Sequence, residues 1–353
     1  MIGEDKRNKV TIMNKVFITG SAGFIGFHLA NLLISRGVQV HGFDGMTDYY
    51  DVNLKKERHR LLLENAAFSR TIGLLEDKDS LVKAVEGFKP DVIVHLAAQA
   101  GVRYSLENPR AYLESNLVGT FNVMECARDL RLKHLLMAST SSVYGANIEM
   151  PYSESTSTDR PLTFYAATKK ANEIMAHSYS HLWGVPTTMF RFFTVYGPWG
   201  RPDMALFKFV KNILEGREID VYNHGQMYRD FTYVSDLVEA IRLLIDVAPT
   251  QLENKLEGIS GDTLSPVAPF RVVNIGNSTK VKLLDFVSEI EKCLGVKADV
   301  NFMDMQTGDV PATWADASLL KNLTGYQPAT DISDGIKNFV DWYCQYYEKE
   351  PII

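Results

Sequence analysis

The chain has 353 residues, 46% hydrophobic and 23% charged, with a formal net charge of −6. That is globular composition and more than one ordinary core, so two units, or one large unit with an appended lobe, are expected. The acidic balance excludes a general nucleic-acid surface, and no window holds the ~20 apolar residues of a membrane span.

Residues 1–13 are polar and lack the apolar run of a signal peptide. Val16-Phe17-Ile18-Thr19 is a short β-rich run that stops at glycine, as a buried strand does. Phe24, Ile25, Leu29, Leu32 and Leu33 then recur at helical spacing, and Gly37 closes that helix. A second strand ends at Asp44. Further strands are predicted in residues 91–98, 134–140 and 186–193, separated by helical stretches such as 116–128 and 166–181. Strand–helix alternation over nearly 200 residues predicts an α/β fold with a parallel sheet covered on both faces. After about Gly197 the elements shorten and loops rich in Pro, Gly and Asn appear. Residues 249–269 read as an exposed loop, and helices are predicted at 283–294 and 332–347. This part reads as a smaller mixed α/β lobe.

Gly20, Gly23 and Gly26 lie between strand and helix as GxxGxxG. Glycines there let a pyrophosphate approach backbone N–H groups at the positive end of a helix. Asp44, eighteen residues after Gly26, is placed to accept bonds from an adenosine ribose and to repel a 2′-phosphate, which favours NAD over NADP. The structural alternative is turn and packing glycines with a solvated strand-end acid. Tyr165 and Lys169, four apart, share one helix face. An ammonium beside the phenol is expected to lower its pKa and make it a general base, although alone the pair equally describes a helix surface. Thr140-Ser141-Ser142 closes a predicted strand at the sheet edge where ligands bind, or caps a turn. The scattered cysteines Cys126, Cys293 and Cys344 form no disulfide framework and point to the reducing cytoplasm. The eight histidines show no metal-ligand spacing, so no metal is expected.

Together GSAGFIG, the strand-end Asp44, HLAAQAG, STSSVYG and YAATK resemble the extended short-chain dehydrogenase/reductase family, in its nucleotide-sugar modifying branch. The resemblance runs from about Lys15 to beyond Gln327. It implies a Rossmann doubly wound parallel sheet over residues 14–196, with about 225–248 returning to it. Residues 197–353 would mainly form a UDP-sugar-binding lobe. It also implies tightly held NAD, with Thr140 as the catalytic hydroxyl, Tyr165 as the base and Lys169 on the nicotinamide ribose. The cofactor contacts it implies are Gly20, Ala22, Gly23, Phe24, Ile25, Gly26, Asp44, Leu75, Leu96, Ala97 and Ala98. Leu74 stands where relatives often carry an adenine-binding Asp, so that contact is left unassigned.

Family members share oxidation at the sugar C4 and then diverge. Ser141-Ser142 replace the Asp-Glu pair that a dehydratase needs, and Ser142 departs from the Glu of decarboxylases. AGVRYS, DYYDVNLK, TVYGPWGRPDMA and QTGDVPATWAD resemble bacterial UDP-glucuronate 4-epimerases. By that resemblance Thr140, Ser141, Ser142 and Thr194 surround a sugar carboxylate. Arg201 and Arg229 meet the diphosphate, Arg103 is a further contact, and Asp309 holds the uridine ribose. The bland reading of Arg229 is a surface salt bridge with Asp230. Rival readings are UDP-glucose 4-epimerase, UDP-glucuronate decarboxylase, and an NAD-binding sensor or scaffold. A homodimer through helices 116–128 and 166–181 is implied by the resemblance alone, and their apolar positions equally suit burial within one subunit.

Overall fold

The computed structural model describes residues 13–250 and 259–349. The polar extension over residues 1–13, apart from Met13, lies outside the described residues, as does the 251–258 part of the expected loop.

The first strands are β1 (Lys15–Thr19), β2 (Gln39–Asp44), β3 (Phe68–Ile72), β4 (Val92–His95), β5 (His134–Ala138) and β6 (Thr187–Phe192). Every residue of β4 and β5 is buried, because a central strand covered on both faces carries a continuous apolar run rather than an alternation. The helices among them are α1 (Phe24–Ser35), α2 (Val52–Leu63), α3 (Lys78–Phe88), the short turns α4 (Tyr104–Glu107) and α5 (Pro109–Tyr112), α6 (Thr120–Asp129) and α7 (Phe164–Trp183). Helix starts are set by local chemistry. Asp77 caps α3 by accepting from Ser80 N, and Thr163 caps α7 by accepting from Ala166 N.

The later elements are β7 (Thr194–Tyr196), α8 (Ala205–Leu214), β8 (Ile219–Tyr222), β9 (Tyr228–Arg229), β10 (Phe231–Tyr233), α9 (Val234–Ile245), β11 (Phe270–Ile275), β12 (Val281–Lys282), α10 (Leu283–Leu294), β13 (Val300–Met303), β14 (Ala312–Thr313), α11 (Ser318–Thr324) and α12 (Ile332–Tyr346). The main sheet is parallel, in the order β11-β6-β5-β4-β1-β2-β3. β11 was not anticipated: the sequence reading places residues 270–275 in the lobe. The run Phe-Arg-Val-Val-Asn-Ile follows a long polar stretch and carries Arg and Asn. Yet Arg271 is buried in an ion pair with Asp262, and the buried Asn274 accepts from the Tyr144 hydroxyl.

Pleating divides the sheet's side chains between two cores. Val16 and Ile18 pack with Leu29 and Leu33 of α1 and Leu237 and Ile241 of α9. Phe17 points the other way, toward Leu81 and Val85 of α3 and Val123 and Met124 of α6. Helices α8, α10 and α12 enclose a third core in the lobe, where Phe231 stacks on Phe286 at 4.1 Å. The helix predicted at 116–128 is entered through a π-helical segment, Leu113–Gly119, which turns Asn116 fully inward. No helix among the described residues is long and apolar enough to cross a membrane.

Candidate active site

β1 pairs with β2 on one side and β4 on the other, so the chain crosses over at β1 and leaves a crevice at the carboxyl ends of the strands. The glycine loop turns there. Gly20 has φ +76°, and a Cβ on it would press on Ala97 N at 2.8 Å. A Cβ on Gly26 would fall on the Gly20 carbonyl, so α1 can approach the strand only without one. No side chain caps the start of α1 at Gly23, which leaves its first N–H groups to a ligand.

Asp44 sits at the end of β2, with Oδ2 accepting from Ala22 N and Oδ1 from Met46 N, both at 2.9 Å. Each oxygen keeps a lone pair that a ribose hydroxyl can use. Ala22, expected among the cofactor contacts, is fully buried and is not among the residues lining the cleft: its N–H donates to Asp44 and its carbonyl accepts from Arg58. The opposite wall is fixed by Thr19, whose Oγ1 accepts from Leu96 N and Ala97 N at 3.1 Å each. Its own proton goes to Nδ1 of His95, and Nε2–H of His95 donates to Thr120 Oγ1. Burial holds His95 neutral, its pKa lowered to about 3.

One cleft is lined by Gly20, Gly23, Phe24, Ile25, Gly26, Asp44, Leu75, Leu96, Ala97 and Ala98, and also by Tyr165, Lys169 and Arg201. Apart from Ala22, the predicted dinucleotide set and the predicted base therefore share one surface. Leu74 lines it too, half-exposed beside Gly45, presenting an apolar surface where the sequence reading left the adenine contact open.

Tyr165 and Lys169 lie on the buried side of α7, but their electrostatics differ from the expectation. Burial pushes the Tyr165 phenol up, and the opposing pull comes from a Thr140 hydrogen bond and the charge of Arg201. The Lys169 ammonium instead donates to Ala138 O at 3.0 Å, and burial lowers its pKa to about 8. Thr140 caps the turn Ser141–Tyr144: Ser142 N donates to its Oγ1 at 3.2 Å, and its hydroxyl donates to Ser142 Oγ at 3.3 Å. The turn-cap alternative for Thr140 is thus what the structure shows directly. Thr194 starts β7, where its N–H donates to Asp230 O.

Arg201 enters the cleft in an ion pair with Asp203, at 3.0 and 2.5 Å. Tyr49, in turn, donates to Asp203. Arg103 and Asp309 pair at 3.4 Å, with the Arg103 guanidinium 4.4 Å over the Tyr222 ring. Arg229 is pushed down by burial and held up by the charge of Asp309. The salt bridge with Asp230, the alternative reading of Arg229, does not form. Neighbours in a strand face opposite ways, and Asp230 accepts from the backbone of Asn277, Ser278 and Ala315. The structure therefore gathers Arg103, Arg229 and Asp309 in one group and places Arg201 with Tyr165 in another.

Sequence reasoning missed Asn116. Its Oδ1 accepts from Gln99 N at 2.8 Å, while Nδ2 donates to Gln99 O and Thr168 Oγ1, tying the loop after β4 to α7. Polar residues at Asn116, Thr120 and Asn122 among the apolar positions of that stretch were the available signal. It also missed Tyr49, Tyr50 and Lys55 as cleft-lining residues. Among the described residues no group of three or more His, Cys, Asp or Glu is placed to hold a metal ion.

Residues 16–254 match the NAD dependent epimerase/dehydratase family. A probable UDP-glucuronate 4-epimerase of Rhizobium meliloti is 55% identical over 335 residues, covering 95% of this chain and 98% of that protein. UDP-glucuronate 4-epimerase 4 of Arabidopsis thaliana is 45% identical over 337 residues, covering 94% of this chain and 76% of that one. Among solved structures, the UDP-glucuronic acid 4-epimerase of Bacillus cereus in complex with UDP-glucuronic acid and NAD superposes with a TM-score of 0.84. It is 32% identical and covers 94% of this chain and 100% of its own.

Proposed function

The chain belongs to the NAD dependent epimerase/dehydratase family, and on that footing we propose that it interconverts UDP-glucuronate and UDP-galacturonate by epimerisation at C4. The observation that carries this reading is the single cleft that joins the uncapped glycine loop and Asp44 to Tyr165, Lys169 and Arg201. The residues present fit NAD: an acid for the ribose, free N–H groups for the pyrophosphate and a buried Tyr–Lys pair at the far end.

NAD would supply a hydride acceptor and donor at the sugar C4. Tyr165 takes the proton of the 4-hydroxyl and returns it after the sugar has turned its other face, with Thr140 holding the same oxygen. Lys169 orients the nicotinamide ribose. Arg201 and Arg229 bind the diphosphate, for which a planar guanidinium is suited. Arg103 is a further substrate contact, and Asp309 takes the uridine ribose.

Oxidation at C4 makes a β-keto acid, which loses CO₂ when its carboxylate lies orthogonal to the developing enolate. Thr140, Ser141, Ser142 and Thr194 hold the carboxylate out of that geometry. Each hydrogen bond to a charged group contributes ~1.5–3 kcal/mol, so a few of them change the partition by orders of magnitude. Purified protein incubated with UDP-glucuronate should yield UDP-galacturonate and no CO₂; a pentose product, or conversion of UDP-glucose alone, would overturn the reading. Thr194→Val, nearly isosteric, should release CO₂ in some turnovers. A folded variant that releases none would put the clamp elsewhere.

The protein is read as a cytoplasmic homodimer. Its three cysteines are free, and Phe121, Ile174, Leu182 and Trp183 leave apolar surface exposed on α6 and α7, the helices expected at the interface.

A further inference from the structure

α2 carries an arginine with no exposed surface, and its partners tie together segments far apart in sequence. Arg58 is 0% exposed. One terminal nitrogen donates to Ala22 O at 2.8 Å and to the Tyr50 hydroxyl at 2.9 Å. The other donates to Trp199 O at 2.6 Å and Gly200 O at 3.4 Å. All four partners are neutral oxygens. A buried charge answered by neutral groups costs more than an apolar side chain of the same volume. What the guanidinium gives in return is a rigid fork that holds two segments at a fixed separation.

Those segments are the two that matter for ligands. Ala22 belongs to the glycine loop, and Trp199-Gly200 immediately precedes Arg201. A second strap runs in parallel: Nε2–H of His28, on α1, donates to Pro198 O at 2.8 Å, and the Phe27 ring lies 5.5 Å from that of Trp199. On its far side Trp199 packs on Trp342 at 5.2 Å and Tyr346 at 5.0 Å, both of α12. Trp199 adopts φ +59°, a left-handed conformation that a bulky residue keeps only where its surroundings enforce it. Segment 198–200 is therefore gripped by α1, α2 and α12, and Arg201 projects from it into the cleft.

We propose that Arg58, seconded by His28, is a positioning residue that makes dinucleotide binding at the glycine loop and diphosphate binding at Arg201 mutually strengthening. The inference rests on the reading of Arg201 as a diphosphate ligand. Either ligand, by ordering its own loop, orders the other loop through the same fork, and linkage requires the effect to be equal in both directions.

The test measures NAD release from holoenzyme with and without saturating UDP, by exchange against labelled NAD. In the wild type UDP should slow release roughly tenfold, within the usual range of coupling between sites. Arg58→Lys keeps the charge but replaces the fork with a point donor, and Arg58→Met removes it. In both, the factor should fall below about twofold while NAD affinity without UDP changes much less. His28→Gln, which leaves Arg58 in place, should give an intermediate factor and keeps the test decisive if the Arg58 variants do not fold. Damage to folding alone would weaken both ligands and leave the factor intact. A folded variant with the wild-type factor, or a wild type whose factor is one, overturns the proposal. Conversion of UDP-glucuronate by the same wild-type preparation separates the two claims, since epimerisation without coupling sinks only this one, and coupling without epimerisation sinks only the assigned reaction.

Discussion

Tyr165 stands between opposing influences: burial raises its pKa, and Thr140 and Arg201 pull it down. Lys169, four residues on, is engaged with Ala138 O at the end of β5, so it holds in place the strand end from which Thr140 extends. A phenol raised by burial is a weak acid, and once it has given up its proton it is a strong base. The use proposed for it at C4 therefore depends on Thr140 and Arg201 being where the fold puts them. Tyr165→Phe deletes the oxygen and keeps the ring, including its edge-on contact with Tyr112 at 6.0 Å. Turnover should fall by ~10²–10⁴, while the variant stays folded and retains NAD. Near-normal turnover of UDP-glucuronate would remove Tyr165 from the role of base.

At the level of elements, the glycine loop shows how closely strand and helix must meet. Gly26→Ala places a methyl group on the Gly20 carbonyl and within 3.0 Å of Ser21 Cα, both backbone atoms that cannot swing aside. α1 must then lift from β1. The variant should lose NAD on purification and melt several degrees lower, since ~1–3 kcal/mol of overpacking is spread over a large domain. A Gly26→Ala protein that keeps both NAD and its melting temperature would show that the loop yields. This element was legible in the sequence because glycine spacing and strand-end acid are both local patterns. So was α10, found at Leu283–Leu294 as its helical spacing predicts. β11 was not legible, because Arg271 and Asn274 break its apolar run and become explicable only once Asp262 and Tyr144 are beside them. The π-helical segment before α6 leaves the apolar spacing almost unchanged and so gives no signal. Arg58 lies in a helix whose sequence, VNLKKERHRLLL, reads as a charged surface. Only the fold shows that it faces inward.

For the whole molecule, buried histidines set the response to acid. His95 and His134 have essentially no exposed surface, and burial lowers them to about 3 and about 4; His28 and His59 are also lowered to about 4. Between about pH 4 and 6.5 the unfolded chain binds these protons and the folded chain does not, so stability present above pH 6.5 is lost as pH falls through that window. The limiting slope is ~1.4 kcal/mol per pH unit for each fully buried histidine. Glu154 works the other way: burial raises it to about 7, so the folded chain takes up its proton first and gains stability as pH falls from 7 toward 4.5. Burial also raises Asp230 and lowers His41, and two carboxyls against five imidazoles leave a net loss on acidification. His95 links this loss to the cofactor, because its Nδ1 accepts the Thr19 proton and Thr19 in turn holds Leu96 and Ala97 against the cleft. A protonated His95 cannot accept that bond. Melting temperature, recorded from pH 7 to 4.5 alongside bound NAD, should fall steadily below pH 6.5, with NAD released as the fold is lost. A melting temperature that stays level down to pH 4.5 would mean that these imidazoles are not held neutral by the fold.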